Sequence, residues 1–320
     1  MQGLAASWRL YGRTDRTARG VFGILAVLLP LLTWSAVSYL PFIWHPQVLI
    51  TDPGGEDYLE SGMRMKRADF NRAVDEMRAK QLPAPQGIAT NPVYFPSPGE
   101  VLSAFVHAFT SAAPTGAEHS ITQAFGHSIR IIFWGFVISS LIGVPLGVLC
   151  GALPAMARLI EPSVDFFRYL PAPAFGALAV AILGIYDAPK IAIIVIGTLF
   201  QQILVIANTT RKLDFALIEA ARTLGARGLR LLFRVVIPGI LPDLYRDQRI
   251  LLGWAWTYLI VAELIGTSSG ITWFITQQAR YQHFDNVYAA MALIGIVGLG
   301  TDMVLGLLAR KFFTWKRENA

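Results

Sequence analysis

At residues 217–226 the chain reads Leu217-Ile218-Glu219-Ala220-Ala221-Arg222-Thr223-Leu224-Gly225-Ala226, and it continues through Arg227 to Ile237-Pro238. Small or apolar residues recur there at the spacing of one helix face, namely Leu217, Ala220, Ala221 and Leu224. The pattern predicts a short helix from Phe215 to Leu224, followed by Gly225 in the left-handed conformation that ends many helices. A second short helix, basic along one side, is expected next and should end at Pro238, because proline has no backbone N–H to donate.

The composition requires a non-aqueous environment for much of the chain. Of its 320 residues, 54% are hydrophobic and only 15% are charged, whereas soluble domains carry about 25% charged residues. The formal net charge is +6. Because the basic residues lie between apolar runs rather than along one face, membrane topology explains them better than nucleic-acid binding does. The single cysteine, Cys150, lies inside an apolar run, so no disulfide framework is expected.

Apolar runs predict an all-α polytopic membrane protein with about six transmembrane helices. The first run, roughly residues 21–40, follows several arginines and is long enough to cross a hydrocarbon core of about 30 Å. The other spans are expected near residues 128–151, 163–185, 189–207, 250–265 and 287–308. With six spans, the basic residues before the first run, around Glu219 and at the C-terminus all fall on one side. Both termini are therefore expected in the cytoplasm.

Three segments follow from this topology. They are a cytoplasmic N-terminus with the first span (1–45), an external segment (46–120), and a core of five spans (121–320) with a cytoplasmic loop at about 211–242. In the external segment, apolar residues at near-heptad spacing predict an amphipathic helix over 56–81. The prolines between Pro83 and Pro98 predict an extended tether after it.

Two spans carry further local signals. Gly143, Gly147 and Gly151 repeat every four residues, which lets another helix approach closely. The entry to the third span, Arg168 to Pro173, contains two prolines and is expected to be irregular. Irregular backbone at membrane depth is tolerated only against protein or a water-filled cavity.

Together these motifs resemble the permeases of ATP-binding-cassette (ABC) importers, in their nitrate, sulfonate and taurine branch. The order Glu219-Ala220-Ala221, then Gly225, then Ile237-Pro238 has the spacing of that family's EAA loop. Other matching segments lie between Tyr94 and Trp315, namely 95–98, 128–130, 143–147, 168–173, 253–256 and 261–270. The chain departs from the family at Tyr169-Leu170, where members usually carry more proline, and its segment before Tyr94 is unusually long.

The resemblance implies a transport subunit rather than an enzyme, in the inner membrane of a bacterium. Its partners would be two copies of an ABC ATPase, a second copy of this chain, a periplasmic solute-binding protein and membrane lipid. ATP and magnesium would belong to the ATPase, and no cofactor is expected in this chain. The residues implied to couple the chain to the ATPase are Leu217, Glu219, Ala220, Ala221, Arg222, Leu224, Gly225, Ala226 and Pro238.

The sequence also limits the chemistry that the chain can perform. It contains no Gly-Lys dipeptide, which excludes a Walker A loop, and its five histidines show no metal-ligand spacing. Charged residues within spans cost about 2.5–3.5 kcal/mol on insertion scales and therefore need a role. The candidates for a translocation pathway are Arg168, Gln201, Gln202, Trp254, Trp256 and Glu263. For Arg130 and Asp302, pairing inside the protein is the preferred interpretation.

The expected function is import of a small solute by alternating access, coupled to the separate ATPase. The net basic charge, with Arg130 and Arg168, weakly favours a small anion such as nitrate, sulfonate, taurine or bicarbonate. One alternative is a secondary carrier driven by an ion gradient, which would need no docking helix and often shows an internal repeat. The other is a membrane scaffold subunit without a transport role.

Overall fold

The computed structural model describes residues 16–40, 43–55, 58–110, 121–265 and 269–315, and these are mostly helical. They fall into two compact units. The first lies within Met1–Thr110 and Gln278–Ala289, and the second within Ser111–Gln277 and Ala290–Ala320. Each unit buries a separate set of side chains.

The first unit combines long helices with a small sheet. Helix α1 spans Arg16–Tyr39, and its most apolar stretch has no buried residue. Strands β1 (Gln47–Asp52), β2 (Arg64–Lys66) and β3 (Gln86–Thr90) form an antiparallel sheet in the order β2-β1-β3. Helix α2 (Arg67–Ala79) follows β2, and helix α3 (Pro98–Thr110) ends this part of the chain.

The core of the sheet region comes from one face of β1 and one face of α2. Val48 and Ile50 are buried, as alternate residues of a strand should be when one sheet face is covered. Ala73 and Met77, four residues apart, are the buried residues of α2. Helix α2 packs against β1, so the buried residues of the strand and of the helix form one small core.

The segment predicted to be external therefore corrects the all-α prediction. Among the described residues of the helix predicted over 56–81, only Arg67–Ala79 is helical. The preceding residues form a hairpin, in which Ile50 N donates to Met63 O at 2.9 Å and Gly62, with φ 90°, turns the chain. The apolar spacing did not reveal this because β2 obtains its backbone partners from β1, and that pairing is absent from any local pattern.

The prediction of an extended proline-rich tether after this helix is also wrong. Residues 86–90 form β3, whose backbone pairs with β1 from Gln47 opposite Thr90 to Asp52 opposite Gln86. Pro92 is almost fully buried, and Phe95 N donates to Pro92 O at 2.9 Å. The prolines flank β3 rather than interrupt it, so every β3 residue keeps an N–H for the ladder.

The second unit is helical in its described part. Its helices are α4 (Ile121–Ala152), α5 (Pro154–Phe167), α6 (Gly176–Leu183), α7 (Asp187–Arg211), α8 (Phe215–Thr223), α9 (Gly228–Leu231) and α10 (Ile237–Leu264). A 3₁₀ turn at Ala172–Phe175 precedes α6, and a π turn at Leu232–Val236 precedes α10. Helices α11 (Ile271–Arg280) and α12 (Phe284–Phe312) complete the chain.

The glycine repeat brings α4 close to α7, as predicted. A Cβ added at Gly143 would lie 2.8 Å from Gln202 Oε1, and one at Gly147 would lie 2.7 Å from Ile206 Cβ. Both distances are shorter than real Cβ contacts allow. Small residues are therefore required along this face for the two helices to pack.

Four helices in the described residues are long and apolar enough to cross a membrane, namely α1, α4, α7 and α12. Helices α5 and α6, with the 3₁₀ turn between them, would make a fifth span bent by 85°. The break lies at residues 168–171, where an irregular entry was predicted. The span predicted over 250–265 is the second half of α10, and α10 is not among these candidates.

Pro238 starts a helix instead of ending one, which corrects the prediction made for it. It stands in the first turn of α10, directly after the π turn. Proline is well tolerated there, because the first N–H groups of a helix have no acceptor within the helix. The predicted loop at about 211–242 thus continues without interruption into a long helix.

Candidate functional sites

Helix α8 and the residues that end it form the first candidate site. Asp214 caps the start of α8 by accepting a hydrogen bond from Ala216 N at 2.9 Å. At the other end, Gly225 has φ 87°, as predicted, and its N–H donates to Arg222 O. Ala226 N donates to Ala221 O, which completes a Schellman motif. The bend after the helix is therefore fixed by backbone geometry.

The surface of this region is exposed and carries apolar side chains. No residue of α8 is buried, and Leu217, Leu224 and Leu229 are 45%, 89% and 71% exposed. Exposed arginines lie among them, namely Arg222, Arg227, Arg230 and Arg234. We call α8, α9 and the residues between them the coupling surface, after the role that the sequence predicts for them.

Glu219 and Ala220 are exposed on the coupling surface, and Ala221 is half-buried. None of the ion pairs among the described residues includes Glu219, although Arg222 is three positions along the same helix. The Glu219 carboxylate is thus exposed, and the described part of the chain leaves it available to a partner.

The coupling surface contacts the start of α10. A Cβ added at Gly239, in the first turn of α10, would lie 2.8 Å from Leu213 Cδ1 and 3.7 Å from Leu217 Cδ2. Since α10 has 28 residues, it extends about 42 Å from this contact. A displacement of α8 would therefore push against one end of a long helix.

A chain of neutral polar groups lies inside the helical unit around Gln202, one of the predicted pathway residues. Gln202 is buried, and its Oε1 accepts from Ser139 Oγ at 2.7 Å. Its Nε2 donates to Ser140 Oγ at 3.0 Å and to Gln248 Oε1 at 3.2 Å. Thr198 Oγ1 donates to Ser139 Oγ at 2.9 Å. Sequence reasoning missed these partners, because an uncharged polar residue in a span gives only a weak signal.

Beside this chain of polar groups is a cavity of about 570 Å³. It lies between α4, α10 and α12, and residues such as Phe136, Leu141 and Leu252 make its wall almost entirely apolar. Arg249 lies at this cavity with its guanidinium engaged by the Asp302 carboxylate at 3.0 and 2.8 Å. The predicted internal pairing of Asp302 is confirmed.

Arg168 lies at the break after α5. Its Nε is 3.0 Å from Asp165 Oδ1, and its guanidinium carbon is 4.7 Å from the centre of the Tyr169 ring. These local contacts satisfy its charge at the point where the chain bends.

The other predicted pathway residues lie apart from one another. Gln201 is half-buried on α7, and Trp254 is 45% exposed on α10. Trp256 stacks on Phe125 with 6.1 Å between ring centres. None of the contacts described here joins two of the six candidates.

Glu263 belongs to a buried polar cluster at the end of the unit away from α8. It is 3% exposed, and its carboxylate accepts hydrogen bonds from Ser128 Oγ and from Thr272 N, the latter at 2.8 Å. Ser128 Oγ in turn accepts from Ile271 N at 2.9 Å. These groups cap the first turn of α11. Gly270, with φ 101°, leaves room for the carboxylate, which an added Cβ would meet.

Lys190 enters the same cluster from α7, and the sequence analysis overlooked it. Its side chain is fully buried, and Nζ donates to Ser269 Oγ at 2.7 Å. Ser269 Oγ is 3.2 Å from His127 Nε2, which is 3.0 Å from Asp187 Oδ1. Asp187 also accepts from Arg130 at 2.5 Å, so the expected internal pairing of Arg130 is confirmed. The sequence signal that could have identified Lys190 was its position inside an apolar run.

The described residues contain no group of three or more His, Cys, Asp or Glu side chains that could hold a metal ion. They offer instead an exposed coupling surface, a buried polar interior and a long helix between the two ends. With four helices long and apolar enough to cross a membrane, the described residues have the architecture of a helical membrane protein.

Comparison with known protein families identifies the family to which this membrane protein belongs. The family described as the binding-protein-dependent transport system inner membrane component matches residues 143–314, and this chain belongs to that family. It is an ABC importer permease component, multi-pass in the inner membrane, and is not itself catalytic. The predicted resemblance is confirmed. The family match begins after the sheet of the first unit.

Curated relatives agree with this assignment. A probable ABC transporter permease protein of Brucella abortus is 32% identical over 230 residues, covering 72% of this chain and 89% of the relative. The taurine transport system permease protein of Escherichia coli is 28% identical over 71% of this chain and 82% of its own length. The bicarbonate transport system permease protein of Synechococcus elongatus is 26% identical over 57% of this chain and 66% of its own length.

Solved structures share the fold. An inward-facing MetNI methionine ABC transporter chain aligns with a TM-score of 0.54 at 19% identity, over 60% of this chain and 95% of its own length. A chain of a bacterial ABC transporter that imports the acidic polysaccharide alginate aligns with a TM-score of 0.51 at 15% identity, over 93% of this chain and all of its own. At such identities the likeness concerns the fold alone.

Proposed function

We propose that this permease works as a homodimer with two copies of a separate ATPase and a periplasmic solute-binding protein. It imports a small solute by alternating access. The observation that carries the proposal is the coupling surface, where exposed leucines and the carboxylate of Glu219 lie beside a backbone-defined bend. Small residues such as Ala220 allow a partner to approach closely. A separate ATPase is the partner that an ABC permease requires.

The proposed mechanism transmits movement through α10. ATP closes the ATPase dimer, and the coupling surface follows it. Because Leu213 and Leu217 pack at Gly239, displacement of α8 reaches the first turn of α10 and then the far end of that helix. The spans alternate between inward and outward openings, and the solute is moved without covalent change. Weak binding along the pathway suits this function, since tight binding would hinder release.

We propose six spans with both termini in the cytoplasm, which places residues 46–120 outside. Ser61, exposed beside the β1–β2 hairpin, is a suitable reporter. In a Cys150→Ala background, Ser61→Cys should react with an impermeant thiol reagent in intact spheroplasts. Cysteine introduced at exposed Arg230, on the coupling surface, should react only after lysis. The reverse pattern would overturn this topology.

The solute is proposed to be a small anion. Support comes from relatives named for transport of aliphatic sulfonates, taurine and bicarbonate. It also comes from the net basic charge of the chain. Nitrate belongs to the same chemical range and should be tested with them.

Reconstitution tests the whole proposal. The permease and its ATPase should be placed in liposomes with the binding protein on the outside, and uptake of labelled taurine, an alkanesulfonate, bicarbonate and nitrate measured with and without internal ATP. ATP-dependent uptake of one of these solutes, each of which carries or is an anionic group, is expected. Uptake driven by an ion gradient without ATP would instead support the secondary carrier, and saturable uptake only of solutes without an anionic group would reject the assignment.

A further inference from the structure

We propose that Glu263 and Lys190 hold a latch that closes the bundle end opposite the coupling surface, and that the latch releases in each transport cycle. The latch consists of Ser128, Lys190, Glu263 and the segment 269–272. This inference rests on the proposed alternating access and adds the residues that position the closed end. The two residues act through the segment that they hold and are not proposed to touch the solute.

The two charged side chains are the reason to regard this cluster as a latch. Lys190 is fully buried and Glu263 is 3% exposed. A buried ion is strongly destabilising unless hydrogen bonds replace its water. Among the described residues, Lys190 Nζ makes its hydrogen bonds to Ser269, and the Glu263 carboxylate accepts from Ser128 and from Thr272 N. Each charge therefore depends on the segment 269–272.

That segment is held from three helices at once. Ser128 of α4 accepts the Ile271 N–H, Lys190 of α7 donates to Ser269, and Glu263 of α10 accepts the Thr272 N–H. The N–H groups belong to the first turn of α11, which has no intrahelical acceptor for them and favours a nearby negative charge. If the segment moved, the start of α11 would lose its acceptors, Lys190 would lose its hydrogen bonds to Ser269, and Glu263 would keep only the one from Ser128.

The latch is suited to two states rather than to gradual movement. With the segment seated, Lys190 and Glu263 both have hydrogen-bond partners. With the segment withdrawn, water must reach Lys190 and Glu263, because an intermediate position would leave a buried ion unpaired. Packed elements with two discrete arrangements are what convert small displacements into conformational switches.

Helix α10 links this latch to the coupling surface. Gly239, in the first turn of α10, packs on Leu213, and Glu263 lies in the last turn of the same helix. Lys190 lies in the first turns of α7, and Arg211 ends that helix directly before α8. Two continuous helices therefore join the two ends of the unit, so movement at one end biases the other.

The test measures whether a buried position beneath the latch becomes accessible. Ile132, one turn beyond Ser128 and 4% exposed, receives a cysteine in the Cys150→Ala background. The complete transporter in liposomes is then treated with an impermeant maleimide. Ser269→Ala removes the hydroxyl that accepts the shorter of the two Lys190 hydrogen bonds without adding bulk, and Lys190→Met removes the charge. Each should raise the labelling rate at position 132 by about fivefold or more and should raise ATP hydrolysis in the absence of binding protein.

Two controls separate release of the latch from general loosening. Ile203→Cys reports on a buried residue in the cluster around Cys150, and its labelling should not change. Thr301→Val removes a hydroxyl whose hydrogen bond, among the described residues, goes to Val297 O within α12, and it should leave labelling at Ile132→Cys unchanged. A rise at both reporters, with a lower melting temperature, would indicate a purely structural role and would overturn the latch.

The remaining outcomes separate this inference from the proposed function. ATP-dependent uptake by the unmodified complex, with labelling at position 132 unchanged in both Ser269→Ala and Lys190→Met, would overturn the latch alone. Absence of ATP-dependent uptake by the unmodified complex would overturn the proposed function. It would also remove the role of the latch in a transport cycle.

Discussion

At the end of the helical unit that holds α8, leucines and Glu219 are exposed, whereas at the end that holds Glu263 and Lys190 the charged groups are buried and hydrogen-bonded. At the α8 end, the exposed side chains can make their interactions with another polypeptide. At the other end, Glu263 and Lys190 make their hydrogen bonds within the chain. Substitutions at the two ends should therefore fail in different ways, the exposed end in assembly or coupling and the buried end in folding or conformation.

The largest effect is expected from Gly270→Ala, at the buried end. The new Cβ would meet the Glu263 carboxylate, and φ 101° adds strain of about 1–2 kcal/mol for a residue with a Cβ. We expect a marked loss of melting temperature and of monodisperse protein in detergent. Gly225→Ala is the control for melting temperature, because Gly225 also has a positive φ, 87°, and nothing lies within 4 Å of its added Cβ. Equal melting temperatures for the two variants would contradict the crowding at Glu263.

An intermediate effect is expected from Glu219→Lys, at the exposed end. A charge-assisted hydrogen bond to the ATPase would contribute about 1.5–3 kcal/mol, so solute-stimulated ATP hydrolysis and uptake should fall by about tenfold or more. Permease abundance and melting temperature should stay near normal, because Glu219 is exposed. Glu76→Lys, an exposed glutamate of α2, controls for the charge change. Wild-type stimulation in Glu219→Lys would remove this residue from the coupling role.

A smaller effect is expected from Gly225→Val, which acts on the bend and not on a contact. Nothing lies within 4 Å of an added Cβ there, but φ 87° is strained for a β-branched residue by about 1 kcal/mol or more. The amount of ATPase that co-purifies with the permease should fall while the permease stays folded. Gly225→Asn should restore most of the binding, because asparagine tolerates the left-handed region. Normal subunit ratios in Gly225→Val would show that the bend is not needed for docking.

The coupling surface was the easiest part to predict from sequence. The bend at Gly225 follows from local rules, since a helix of this composition needs a left-handed residue where the glycine stands. Pro238 was placed at the wrong end of a helix, because a proline gives the same signal just after one helix and just before the next. The residues that follow the proline decide whether it ends one helix or begins the next. Here the charged residues after it stay helical through Gln248, because this part of α10 packs against other helices.

The first unit shows a different limit. Its apolar residues were recognised, yet their spacing suited a helix, and the strands became visible only through pairing between β1 and residues far along the chain. Backbone pairing over such separations is a property of the folded chain and leaves little trace in any one segment.

The sequence by itself determined that the chain needs a membrane, which class of protein it belongs to and where its coupling motif lies. These properties depend on composition and on residues that are neighbours along the chain. Only the tertiary structure decided that Glu263, Ser128 and Lys190 meet at segment 269–272, since those residues lie on three helices separated by long stretches of sequence. Their roles follow from burial, which forces each charge to find a partner within the fold. No local pattern records which partner that is.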